Sequence, residues 1–166
     1  MRGAGRQYGT GQHAAGGLSA GEHARGPSLA ALQAALAAEQ AASYGYGVVG
    51  SHLAGSPARF DAAAADCVAH ERARDSLAAM IAAIGAAPRP AAVAYQLPVT
   101  VSTAADAVSL AIILERQVES AYLGMVALPD LALRAFGAGQ IRAAAQRSAR
   151  WSGRSQAFPG LGSGLG

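Results

Sequence analysis

Lysine is absent from this chain of 166 residues: all thirteen basic side chains are arginine. With the bias toward Ala and Gly, that reads as the composition of a high-GC genome more than as a functional choice. Cysteine occurs once, at Cys67, so no internal disulfide can form; a lone cysteine in a helical stripe fits a reducing cytoplasm, the expected location. Aromatic residues make up 5% of the chain and β-branched runs are scarce, which argues against a sheet. Long apolar runs are missing too. The strongest, 107–114, lies between Asp106 and Glu115 and falls far short of the ~20 residues a membrane span needs. Residues 1–26 contain no apolar core of a secretory signal. No phosphate loop, dinucleotide fingerprint or zinc-finger spacing occurs.

What the chain does have is alanine, the best helix former, in a composition that is 52% hydrophobic. An all-α fold of one domain follows. The net charge of +3 is concentrated late, with Arg134, Arg142, Arg147, Arg150 and Arg154 among the last residues. Such a basic last helix could touch RNA or phosphate; the plainer reading is a solvated outer face, since no aromatic-interleaved basic motif accompanies it.

Punctuation divides the chain into a Gly-rich tail over 1–27, expected to be disordered, four helices within 28–161, and a flexible end over 162–166. His13 and His23 lie in the first tail with no second ligand at useful spacing. The first helix is predicted from Ser28 as N-cap to about Leu53, and the second from about Arg59 to Gly85. The third follows Ser102 or Thr103 with Asp106 in its first turn, to about Leu128, and the fourth runs from Asp130 to about Trp151. The first and third links are short and force antiparallel hairpins. The middle link, of about sixteen residues, extends to ~50 Å at ~3.3 Å per residue. It can therefore cross the whole ~39 Å length of a helix of ~26 residues. Short, long, short is a ferritin-like four-helix bundle with a long crossover between its second and third helices.

The helical stripes carry polar interruptions. Leu29, Leu32, Leu36, Glu39, Ser43, Tyr46, Gly50 and Leu53 line the first helix, with a carboxylate where a leucine is expected. The second reads Phe60, Ala63, Cys67, His70, Arg74, Leu77, Ile81 and Ile84. The third reads Ala105, Val108, Ile112, Glu115, Glu119, Tyr122 and Val126, and the fourth Leu133, Gly137, Gln140, Ala144, Arg147 and Trp151. Counted from one end at ~1.5 Å per residue, Glu39, His70, Glu115 and Gln140 fall at a common depth of ~17–21 Å. One turn lower, Arg74 is placed opposite Glu119. The expectation is a buried polar network of Glu39, His70, Arg74, Glu115, Glu119 and Gln140. Gly45, Gly47 and Gly50 mark a close crossing with another helix or a second subunit.

Several segments are similar to an uncharacterised ferritin-like family common in actinobacteria. They are Leu32-Gln-Ala-Ala-Leu-Ala-Ala-Glu39, Tyr44-Gly-Tyr-Gly-Val48, His70 with Arg74-Asp75-Ser-Leu77, Tyr95-Gln-Leu-Pro98, Leu114-Glu115 and Phe158-Pro-Gly-Leu161. The resemblance covers roughly residues 29–161 and implies the fold but no activity. Ferritin-like iron proteins place a Glu on two helices and a Glu-x-x-His on the other two. Glu39 and Glu115 match the single glutamates. The second helix reads Cys67-Val-Ala-His70, keeping the histidine alone, and the fourth reads Gln140-Ile-Arg-Ala143, keeping neither ligand.

Two classes of function stand against each other. The first is a non-catalytic binding or assembly module, a homodimer with a degenerate metal site and no resident cofactor. The second is an iron- or manganese-dependent oxidoreductase using Glu39, His70 and Glu115 as metal ligands, with Cys67 as a soft fourth. An RNA-associated accessory domain is a third, weaker reading. Charge between two acids favours a protonated, metal-free His70, and neither an exposed nucleophile nor an oxyanion site is suggested for Cys67.

Overall fold

Helix signals written in the sequence are used almost where they stand. The computed structural model describes residues 20–153, with side chains from Gly26 on, and contains four helices and no strand among them. These are α1 (Ala20–His52), α2 (Pro57–Ala83), α3 (Ala104–Val126) and α4 (Leu131–Ser152). Pro57 takes the first position of α2, where a missing N–H costs nothing, and Gly85 closes that helix with φ +77°. Helix α3 opens on a capping box: Thr103 Oγ1 accepts from the Asp106 N–H at 3.1 Å, and Asp106 Oδ2 accepts from the Thr103 N–H at 2.9 Å. Asp130 caps α4 by accepting from the N–H groups of Ala132 and Leu133 at 2.8 and 3.0 Å.

The start of α1 corrects the expectation. The helix begins at Ala20, inside the segment expected to be a tail, and passes through Pro27 rather than opening at Ser28. Pro27 removes one backbone donor, but Ala, Glu and Arg in the preceding turns are good helix formers and carry the helix upstream. Residues 1–19 and 154–166, with the remaining tail expectations, His13 and Phe158, lie outside the described residues, as does the side chain of His23.

Helix α1 packs against both α2 and α3, and α3 packs against α4. Two apolar clusters result. Leu32, Leu36, Leu77, Ile81, Val118, Tyr122, Met125 and Leu128 form one; Tyr46, Val49, Leu53, Ala63, Leu110 and Leu114 form the other. The link between α2 and α3 lies along α1. Gln33 Nε2 donates to the Ala87 carbonyl at 2.8 Å, and the Arg89 N–H donates to Gln33 Oε1 at 3.0 Å. Further along, Gln40 Nε2 donates to the Arg89 carbonyl at 2.9 Å, and Leu97, Val99 and Val101 pack against the second cluster. Gly45 makes a close crossing with α3: a Cβ there would sit 2.6 Å from Leu114 Cδ1, while Gly47 faces open space.

The seam of α2 differs from its expected stripe. Asp66, His70, Ala73, Leu77 and Ile81 are buried, whereas Phe60 and Ile84 are exposed and Cys67 and Arg74 are only half-buried. A period of 3.6 allows either neighbour at each step, and the small Ala73 wins the inward place from Arg74.

Candidate functional site

Between the two apolar clusters, α1, α2 and α3 bring Glu39, His70 and Glu115 into direct contact. Glu39 and Glu115 are 0% exposed and His70 is 1% exposed. His70 Nδ1 lies 2.7 Å from Glu39 Oε2, and Nε2 lies 3.1 Å from Glu115 Oε1. Both acceptors are carboxylates, so both ring nitrogens donate and the ring is an imidazolium. Burial alone would lower the His70 pKa; the hydrogen bonds to Glu115 and Glu39 outweigh it and hold the pKa up at about 9.

Tyrosines complete the layer. Tyr46 of α1 donates its hydroxyl to Glu115 Oε1 at 2.6 Å, and Tyr122 of α3 donates to Glu39 Oε1 at 2.7 Å. Each tyrosine follows its own helix's glutamate by seven positions, so both occupy the same face two turns on. The exchange is reciprocal: each helix's tyrosine serves the other helix's carboxylate. Tyr46 also stacks on His70, with ring centroids 5.1 Å apart. Burial first, then the adjacent carboxylates, push both phenol pKa values far up, so both rings stay neutral.

The fourth helix contributes Arg147, whose Nε donates to Glu115 Oε1 at 2.9 Å. Glu115 Oε1 therefore receives three donors, from α1, α2 and α4. Glu115 Oε2, equally buried, has no hydrogen-bond partner. Burial opposes ionisation of Glu115, but the bonds from His70 and Arg147 prevail and its pKa is lowered. Two carboxylates thus face two cations in a sealed layer.

Three sequence expectations are corrected here. Gln140 is half-buried and bonds to no member of the layer; Arg147, on the same face and two turns further along α4, reaches it instead. Arg74 does not pair with Glu119. Its Nε donates to the neighbouring Asp75 at 2.8 Å on the solvent side. Glu119 is buried with no hydrogen bond, and its pKa is raised by burial and then by Glu115. Cys67 stays apart from the layer, its Sγ donating to the Ser43 carbonyl at 3.6 Å, and burial pushes the thiol pKa up. Among the described residues no group of three or more His, Cys, Asp and Glu side chains is arranged to hold a metal ion. The two tyrosines and Arg147 stand on the inward stripes of the sequence; the repeated seven-residue offset of Tyr from Glu is the signal that marks them.

A second polar knot joins α2 to α4. Asp66, buried, accepts from Arg150 Nη2 at 2.5 and 2.7 Å and from Trp151 Nε1 at 2.8 Å.

Four helices around a buried, charge-balanced carboxylate layer define the molecule as an all-helical protein with an ionic core. Residues 31–163 match the domain-of-unknown-function family DUF4439, and the chain belongs to that family. It is also similar to the crystal structure of a conserved hypothetical protein from Mycobacterium tuberculosis. Identity is 34% and the TM-score 0.73, over 76% of this chain and 96% of that one. Comparison with functionally curated proteins gave no match. No helix among the described residues is long and apolar enough to cross a membrane.

Proposed function

We propose that this chain is a ferritin-like four-helix bundle whose ancestral metal layer is now an internal ion network, and that it acts by binding or assembly rather than by catalysis. The observation that carries the reading is the double engagement of His70. Both ring nitrogens are held by carboxylates, at 2.7 and 3.1 Å, leaving no lone pair for a metal. Arg147 adds a second cation where a metal would need an anionic or neutral ligand. The residues do not fit an iron or manganese centre. The ferritin-like topology is supported by the link between α2 and α3, which touches α1 at Gln33, at Gln40 and again at Tyr44, whose ring meets Tyr95, as a long crossover would. Assembly as a homodimer is part of the proposal, and sedimentation of the purified chain tests it.

One observation favours the alternative, a metal-dependent oxidoreductase: Glu115 Oε2 is buried with no partner. Metal analysis of natively purified protein separates the two. The expected result is less than stoichiometric iron and manganese, unchanged by Glu39→Ala. Stoichiometric metal that disappears in Glu39→Ala would establish the oxidoreductase reading instead. The basic outer face of α4 leaves an RNA-associated role as a minor proposal; filter binding with no salt-dependent affinity removes it.

A further inference from the structure

A cavity of about 410 Å³ opens where the start of α2, the start of α3 and the end of α4 meet. Its apolar walls come from Ala58, Ala62, Val108 and Trp151, and its charged groups are Arg59 and Arg150. The volume lies in the range of small-molecule sites, and a mostly apolar wall with a few placed polar groups is their usual chemistry.

The polar groups are set for an anion. Asp66 holds Arg150 through Nη2 alone, so Nη1 and Nε keep donors that no described residue uses. Arg59 has no ion-pair partner among the described residues, and the first turn of α2 carries no acidic residue. Trp151 is fixed by its bond to Asp66 and by Tyr46, whose ring centroid is 6.4 Å away. Two guanidinium groups against one carboxylate leave a single positive charge in excess, which matches a monoanion.

We propose that this cavity binds a monocarboxylate with a short apolar body, its head on Arg59 and Arg150 and its body against Trp151, Val108 and Ala62. The site shares no residue with the Glu39–His70–Glu115 layer, so it can fail without affecting the reading of that layer, and the reverse.

Trp151 is the only tryptophan in the chain, so the emission comes from a residue of this cavity's wall. The full chain is titrated with hexanoate, and with hexan-1-ol as the uncharged counterpart. Hexanoate is expected to change the emission saturably below about 10 mM, as its small size allows. The alcohol should bind at least roughly tenfold more weakly, and Arg59→Gln should weaken hexanoate by a similar factor. Arg59 is exposed, so this variant should melt like the parent. Absence of a saturable hexanoate signal, an equal response to the alcohol, or an unchanged Kd in Arg59→Gln overturns the proposal. So does a Phe158→Ala variant that shows the same emission change with no ligand, because the chain's own end would then be the occupant.

Discussion

Arg147 of α4 and Glu115 of α3 meet at 2.9 Å inside the protein, with the carboxylate wholly out of solvent and the arginine side chain 11% exposed. Such a pair is no measure of stability when intact, because desolvation offsets the attraction, but removing one member leaves a stranded charge. The same holds for Glu39 and His70, and it fixes the first prediction.

Glu39→Leu and His70→Leu, each alone, should cost on the order of 3 kcal/mol or more in urea unfolding. Made together, they remove both charges, and the double variant should lose less than the two single losses summed. Simple additivity would mean that the two side chains do not share one network.

His70 also sets a pH dependence. Its pKa is raised by folding, from 6.5 to about 9. The stability it contributes is therefore complete below about pH 6.5 and is lost as pH rises through about 9, on the order of 3 kcal/mol in all. Glu115 works at the other end: its pKa is depressed, so its contribution holds above the ordinary glutamate range and fades on acidification through the lowered value. Glu119, whose pKa burial and then Glu115 raise, gives up stability as pH rises and it ionises. Nitrogen-detected NMR of the imidazoles checks the assignment; a His70 midpoint at or below 6.5 would contradict it.

Two glycines on α4 should respond oppositely to alanine. A Cβ on Gly137 would lie 2.9 Å from Met125 Cβ and 3.5 Å from the Tyr122 carbonyl, and neither neighbour can swing aside. Gly137→Ala should destabilise by about 1–3 kcal/mol. Gly139 has open space around it, so Gly139→Ala should stabilise by about 0.5–1 kcal/mol through helix propensity alone. Thermal melting of the two variants decides.

Asp66 and Arg150 should not be equivalent. Asp66→Ala deprives both Arg150 and Trp151 of their acceptor and should cost about 1–3 kcal/mol. The Arg150 side chain is 53% exposed, so Arg150→Ala leaves Asp66 with the indole donor and should cost less. Equal losses would show that the ion pair, and not the indole bond, holds α2 to α4.

The helical stripes mark the layer but not all of its members, and the reasons are geometric. Apolar spacing identifies a helix face only to within a neighbouring position, and Glu39, His70 and Glu115 stand where their stripes put them. Depth along an axis is harder, because counting from helix ends assumes level ends. Gln140 and Arg147 lie on one face seven residues apart, roughly 10 Å along the axis. A long arginine can reach across part of that distance, which no spacing rule records. Arg74 shows a different limit: at a period of 3.6, residues 73 and 74 both border the seam, and packing rather than pattern selected Ala73. Caps at Thr103 and Asp130 were legible because their chemistry is local. The tyrosine exchange was not, because it joins residues 69 and 83 positions apart.

Each hairpin carries a glutamate and a cation of its own: Glu39 with His70 on the first, Glu115 with Arg147 on the second. Neither half therefore has to bring a bare charge to the α1–α3 face when the two come together. Docking joins two units already close to electroneutral, and the crossed tyrosines become contacts that only the correctly mated pair can make. A wrongly offset mating would bury two phenols without acceptors, so the layer doubles as a register lock between the halves.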